Sequence, residues 1–161
     1  MNAYTLACRV AIETEKDLDY GLKLSKRVKT MLNDYALAKG YYPDGIFKLE
    51  KWYKDNRDDE LPSPVKYYYD ILELEAPYLF DSYMLYLEKN REYSRKFYQP
   101  RRECLLKTGI IQGYQDLEDD VLDLLCVSMP PSTGKTTLEK FYHTWIIGRL
   151  PDASNLFFSH S

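Results

Sequence analysis

The hydrophobic pattern of this chain changes at residue 121, and that change constrains its fold more than any other feature. Residues 121–128 (VLDLLCVS) form a short apolar run, compatible with a strand buried on both faces. Residues 129–137 (MPPSTGKTT) follow with neither a helical nor a strand period. Beyond them Leu138, Phe141, Tyr142, Trp145 and Ile146 recur at i, i+3, i+4, i+7 and i+8. That is the period of an amphipathic helix over 135–148, with Gly148 and Pro151 as stop signals. Residues 155–159 (NLFFS) read as a second short strand. Strand, loop, helix and strand make a βαβ unit, for which a right-handed crossover is expected.

Upstream the pattern is helix and loop. Leu18, Leu22, Leu24, Val28, Met31, Leu32 and Tyr35 predict a helix over 14–38, capped by Thr14 and stopped at Gly40 and the turn Pro43, Asp44, Gly45. Residues 46–60 begin amphipathic and end in a charged run, read as a solvated loop or helix end. Pro62, Ser63 and Pro64 break the chain. A helix is expected over 64–75, and Pro77 restarts the pattern for Leu79, Phe80, Tyr83, Met84 and Leu87. Residues 91–98 (REYSRKFY) are basic and aromatic, and 100–118 again look helical. The expected fold class is α/β, mostly α in this stretch. A helical lead-in, 1–96, runs into the start of a P-loop βαβ unit, 97–161.

Composition excludes several classes. With 22 Lys and Arg against 25 Asp and Glu, the net charge of -3 does not suit a non-specific nucleic-acid binder, which needs excess positive charge. No run approaches a membrane span, and the first residues have no long apolar core of a signal peptide. Cys8, Cys104 and Cys126 show no CxxC spacing, so free thiols in a reducing cytosol are expected. Tyrosine is abundant, at 16 residues. The stripe Tyr67, Tyr68, Tyr69, Tyr78, Phe80, Tyr83, Tyr86 would suit base stacking, but helix packing is the reading we adopt. His143 and His160 have no matched ligand spacing, and no GxSxG motif occurs.

The chemistry concentrates in Ser132, Thr133, Gly134, Lys135, Thr136 and Thr137. Backbone N–H groups of such a loop point inward and cradle phosphate oxygens, and the following helix adds its positive end. Lys135, the catalytic candidate, would reach the β- and γ-phosphates. Thr136 would offer its hydroxyl to Mg²⁺, and Gly134 would let backbone approach phosphate. A bare GK followed by Ser or Thr arises by chance in roughly one in ten chains of this length. The context therefore decides: an apolar run ends just before the loop and a helix starts within it. The full G-x-x-x-x-G-K-[ST] pattern is not met, because Met129 stands at the first glycine.

Residues 127–161 resemble the Walker A region and second strand of tailed-phage terminase large subunits, the ATP-driven DNA-packaging motors. Met129, Pro130 and Pro131 are similar to the Pro-Pro that those proteins often carry in place of the first glycine. Gly148, Arg149, Asn155 and Leu156 match the stretch after their helix. Residues 97–105 (FYQPRRECL) are similar to their adenine-contacting segment, which makes Tyr98, Gln99, Arg101 and Arg102 the adenine-binding candidates. Ser132 stands where many relatives place an Arg near the γ-phosphate. The resemblance covers 97–161, while 1–96 match only as a Tyr-rich helical stretch.

The resemblance implies ATP and Mg²⁺ as ligands, and double-stranded DNA with a portal or small terminase subunit as partners of the full-length protein. It also implies an oligomer when assembled and a host-cytoplasmic, phage-encoded setting without a membrane. No apolar run ending in Asp-Glu follows residue 136, and the family's nuclease is missing, so an N-terminal piece incomplete for hydrolysis is expected. The alternative is a non-catalytic helical interaction module with a vestigial P-loop. A small-molecule kinase would usually place the loop near its N-terminus, which disfavours that class.

Overall fold

Apolar residues spaced three and four apart make this chain mostly helical, and they gather into two units. The computed structural model describes residues 3–13, 18–41, 45–56 and 61–152. One unit is Met1–Glu75 with Lys89–Arg95, and the other is Ala76–Glu88 with Lys96–Ser161. The sequence-based division at residue 96 differs in that residues 76–88 and Lys96 lie with the C-terminal unit.

The first unit holds α1 (Ala3–Glu13), α2 (Leu18–Ala38), α3 (Ile46–Asn56), α4 (Ser63–Glu75) and a 3₁₀ turn, Tyr93–Arg95. Helix α2 packs on α1, α3 and α4. Cys8, Val28 and Ile71 are buried together, with Leu24, Leu32 and Leu74 packed around them. Burial, and then the charge of Glu75, push the Cys8 thiol above its ordinary pKa, which keeps it protonated. Glu75 is itself fully buried and takes hydrogen bonds from Ser25 and Lys29. Glu50, also buried, accepts the Tyr69 hydroxyl at 2.7 Å and Lys54 at 2.5 Å. The Asn33 side chain on α2 accepts the Ile46 N–H at 3.1 Å and so satisfies one orphan donor at the start of α3. Of the helix expected over 14–38, α2 covers 18–38. Residues 14–17 with the cap candidate Thr14, the turn residues Pro43 and Asp44, and residues 57–60 lie outside the described residues.

The second unit holds α5 (Phe80–Leu87), a 3₁₀ turn (Gln99–Arg101), α6 (Arg102–Lys107), α7 (Ile110–Glu118) and α8 (Lys135–Arg149). Its centre is aromatic. The Phe80 ring lies 5.5 Å from Tyr114, 5.6 Å from Tyr142 and 5.3 Å from Trp145. These contacts explain why α5 belongs here although it precedes residue 96. The Trp145 indole donates to the Ala76 carbonyl at 2.8 Å, which satisfies its one polar atom inside the core. Arg149 lies over the Trp145 ring at 4.7 Å and pairs with Glu118 at 2.8 Å. Helix α8 runs through Gly148 to Arg149, beyond the stop expected at Gly148.

The segment expected as a buried strand is different. Among the described residues there is no strand, and 121–128 carry no ladder. Val121 and Leu124 are 68% and 76% exposed, and Cys126 is exposed as well. A strand needs a neighbour to receive its N–H and C=O groups, and none of the described residues supplies one. The segment is fastened to α7 instead: the Asp116 carbonyl accepts the Val121 N–H at 2.9 Å and the Leu122 N–H at 3.1 Å, and Leu125 Cδ1 lies 2.8 Å from where a Cβ on Gly113 would sit, so α7 has a bare site that receives it. Residues 155–159 lie outside the described residues.

Candidate functional site

The loop ahead of α8 is a tight turn built by its own hydrogen bonds. The Pro130 carbonyl accepts the Thr133 N–H at 3.4 Å and the Thr133 hydroxyl at 2.6 Å. Ser132 and Gly134 both take left-handed backbone, with φ of +62° and +96°. Gly134 caps α8, and its carbonyl accepts the Leu138 N–H at 3.0 Å. The first turn of a helix leaves N–H groups without intrahelical partners, and here those belong to Lys135, Thr136 and Thr137. The side chains of all three are exposed, and the first turn of α8 carries no acidic residue. No carboxylate of that turn therefore offsets the positive helix end. Lys135 makes no ion pair among the described residues.

A second element of the same unit reaches this turn. A Cβ on Gly134 would stand 2.1 Å from Phe97 Cε2 and 2.6 Å from Cζ, so the ring fills the space that every other residue would use for its side chain. Phe97 also stacks on Phe141 of α8, with centroids 6.0 Å apart and planes at 29°. The Arg101 guanidinium lies 4.9 Å from the Phe97 centroid and donates to the Phe97 carbonyl at 2.8 Å.

What holds Phe97 there is a buried carboxylate. Glu88, 1% exposed, accepts the Phe97 N–H at 2.6 Å, the Tyr98 N–H at 2.9 Å and the Gln99 N–H at 3.0 Å. One carboxylate thus satisfies three consecutive donors at the entry to the 3₁₀ turn. The next residue faces inward. Tyr98 is fully buried and its hydroxyl donates to Asp81, while Arg102 makes two hydrogen bonds of 2.7 Å to the same carboxylate. Burial, and then the Asp81 charge, raise the Tyr98 phenol well above its ordinary pKa, so it stays a donor.

The four adenine candidates therefore have distinct settings. Tyr98 and Arg102 are joined to Asp81. Gln99 gives its N–H to Glu88, and its side chain accepts from Lys96 at 2.7 Å. Arg101 is exposed and lies over the ring beside the loop. Phe97, which the sequence did not single out, is the ring at the loop. The sequence carries no signal that separates the two rings, since Phe97–Arg101 and Tyr98–Arg102 are both i, i+4 pairs; the fold sends one ring to the loop and the other to the core.

At this loop magnesium would find side-chain hydroxyls rather than carboxylates, the exposed Thr136 among them. No group of three His, Cys, Asp or Glu able to hold a metal occurs among the described residues. That donor set fits Mg²⁺ only as a companion of phosphate, since this ion keeps several waters and is usually held through a few protein oxygens and the phosphates. Comparison with known proteins finds no matching family model, curated protein or solved structure.

Proposed function

We propose that the second unit is the nucleotide-binding start of a P-loop ATPase of the viral DNA-packaging kind, resembling terminase large subunits. The observation that carries the reading is the turn at Ser132 and Gly134, which delivers the chain into the acid-free first turn of α8 with Lys135 and Thr136 exposed. The N–H groups of 132–137 would receive the phosphates, Lys135 would neutralise the outer ones, and Thr136 would hold Mg²⁺. Arg101 would be the base contact, since it is the exposed member of the adenine segment at the loop. Binding, rather than turnover, is assigned to these residues. In this reading 121–128 and 155–159 become strands of a parallel sheet once neighbours pair with them. Double-stranded DNA, the portal or small terminase subunit, oligomeric assembly and the host cytoplasm belong to the same proposal.

Thermal melting tests it. Mg-ATP at 100 times its dissociation constant adds about 2.7 kcal/mol, a clear rise in Tm. Lys135→Ala should abolish that rise while leaving the ligand-free Tm near its original value, because Lys135 is exposed. An unshifted Tm in the original protein, or a full shift in the variant, refutes the reading.

One observation favours a second reading, a helical interaction module with an idle loop. Tyr20, Met31 and Tyr35 of α2 are 57%, 56% and 48% exposed. That reading predicts a protein partner for the first unit and no nucleotide response in the melt.

A further inference from the structure

Phe97 sits where a nucleotide-binding loop needs stiffness. A left-handed Ser132 is unfavourable for a residue with a side chain, and isolated left-handed positions persist only when their surroundings enforce them. The turn's own hydrogen bonds are few: Pro130 with Thr133, and Gly134 with Leu138. The Phe97 ring adds a packing contact on the same turn, against the bare Cα of Gly134. The ring in turn cannot drift, because the buried Glu88 carboxylate grips the amides of 97–99, Phe141 stacks against it, and Arg101 lies over it.

We propose that Phe97 is a positioning residue for the phosphate loop. Docked on Gly134 and anchored through Glu88, it holds the turn at 132–134 ready for an anion, and its contribution lies in the loop rather than in the base. The identity of the ligand rests on the nucleotide reading above, but the geometry does not. The chain of contacts is continuous: Glu88 on the end of α5, the amides of 97–99, the Phe97 ring, Gly134, and the first turn of α8.

Two measurements on the full chain test this separately. The first needs no ligand. In Phe97→Ala, amide exchange at Thr133 and Leu138, whose bonds close the turn and open the helix, should quicken about ten-fold, while Leu150 at the far end of α8 keeps its protection. Unchanged exchange at Thr133 and Leu138 overturns the proposal. The second compares inorganic tripolyphosphate with ATP, both with Mg²⁺. If the ready loop falls to about a tenth of molecules, both affinities fall about ten-fold together. A loss confined to ATP would make Phe97 a base-stacking residue and would also overturn the proposal.

Should Leu150 lose its protection too, Phe97→Ala has disturbed the whole helix. Phe97→Leu and Glu88→Gln then carry the comparison, with smaller losses expected in the same direction and equal for the two ligands. A loss at neither ligand, or at ATP alone, counts against the proposal in those variants as well. If the original protein binds neither tripolyphosphate nor ATP, the nucleotide reading falls, and the exchange data alone still decide whether Phe97 holds the loop.

Discussion

At the scale of single residues, Gly134 carries two separate demands. Its φ of +96° excludes ordinary side chains, and the Phe97 ring excludes any side chain at all. Gly134→Ala should therefore cost about 1–2 kcal/mol for the backbone and about 1–3 kcal/mol for overpacking. A double-mutant cycle separates the two: in a Phe97→Ala background the second part disappears, and urea titration should show a smaller cost for the alanine. Equal costs in both backgrounds would mean that the ring and the glycine do not meet. Ser132→Gly should go the other way, relieving about 1 kcal/mol. The sequence made the glycine legible through the GKT motif, but only its phosphate role. Its use as a seat for Phe97 was hidden because the two residues lie far apart in the chain, and only the fold brings them together.

At the scale of elements, α2, α4 and α8 follow the sequence pattern, whereas α1 does not stand out in it, the stretch 100–118 divides into a 3₁₀ turn, α6 and α7, and the expected strand is absent from the described residues. Helices declare themselves locally, because every backbone bond closes within the segment and the apolar spacing repeats. Thus α4 and α8 begin and end close to the expected residues. The run at 121–128 has the composition of a strand, but a strand is a property of a pair, and composition cannot supply the neighbour. Polar contacts between helices were equally silent. Nothing in the sequence marks Glu75 of α4 as the buried partner of Lys29 and Ser25 on α2. Breaking that pair should be expensive: Lys29→Met leaves a buried carboxylate and should cost about 3–5 kcal/mol. Combining it with Glu75→Leu should restore most of the loss in equilibrium unfolding. If the single change proves nearly neutral, the pair does not set how α2 meets α4.

At the scale of the whole molecule, each unit contains one of the two tryptophans, Trp52 in the first and Trp145 in the second. In a Trp52→Phe variant the remaining emission reports the second unit alone. Tyr114 and Tyr142 are pushed up to about 12, chiefly by burial, and Tyr98 is raised as well. In the unfolded chain these phenols lose their protons near the ordinary tyrosine value of 10.0, earlier than in the folded unit. Their contribution is therefore fully present below about pH 10 and drains away as pH climbs toward about 12. The Trp145 unfolding midpoint in urea should fall across that window, and Tyr142→Phe should flatten the fall. A midpoint that stays level from pH 10 to 12 would show that the phenols ionise as readily inside the fold as outside it.

The partition of the chain has a consequence for its birth on the ribosome. Helix α5 emerges early, yet the rings that surround Phe80 are translated some thirty to sixty-five residues later. Until Trp145 leaves the exit tunnel, Phe80 lacks its last ring neighbour, whereas Glu88 meets its amide partners nine to eleven residues after its own place in the chain. A gene fragment starting at residue 97 would omit both, so a cloned version of the loop-bearing half must begin at Ala76 to keep the parts that its core and its clasp require.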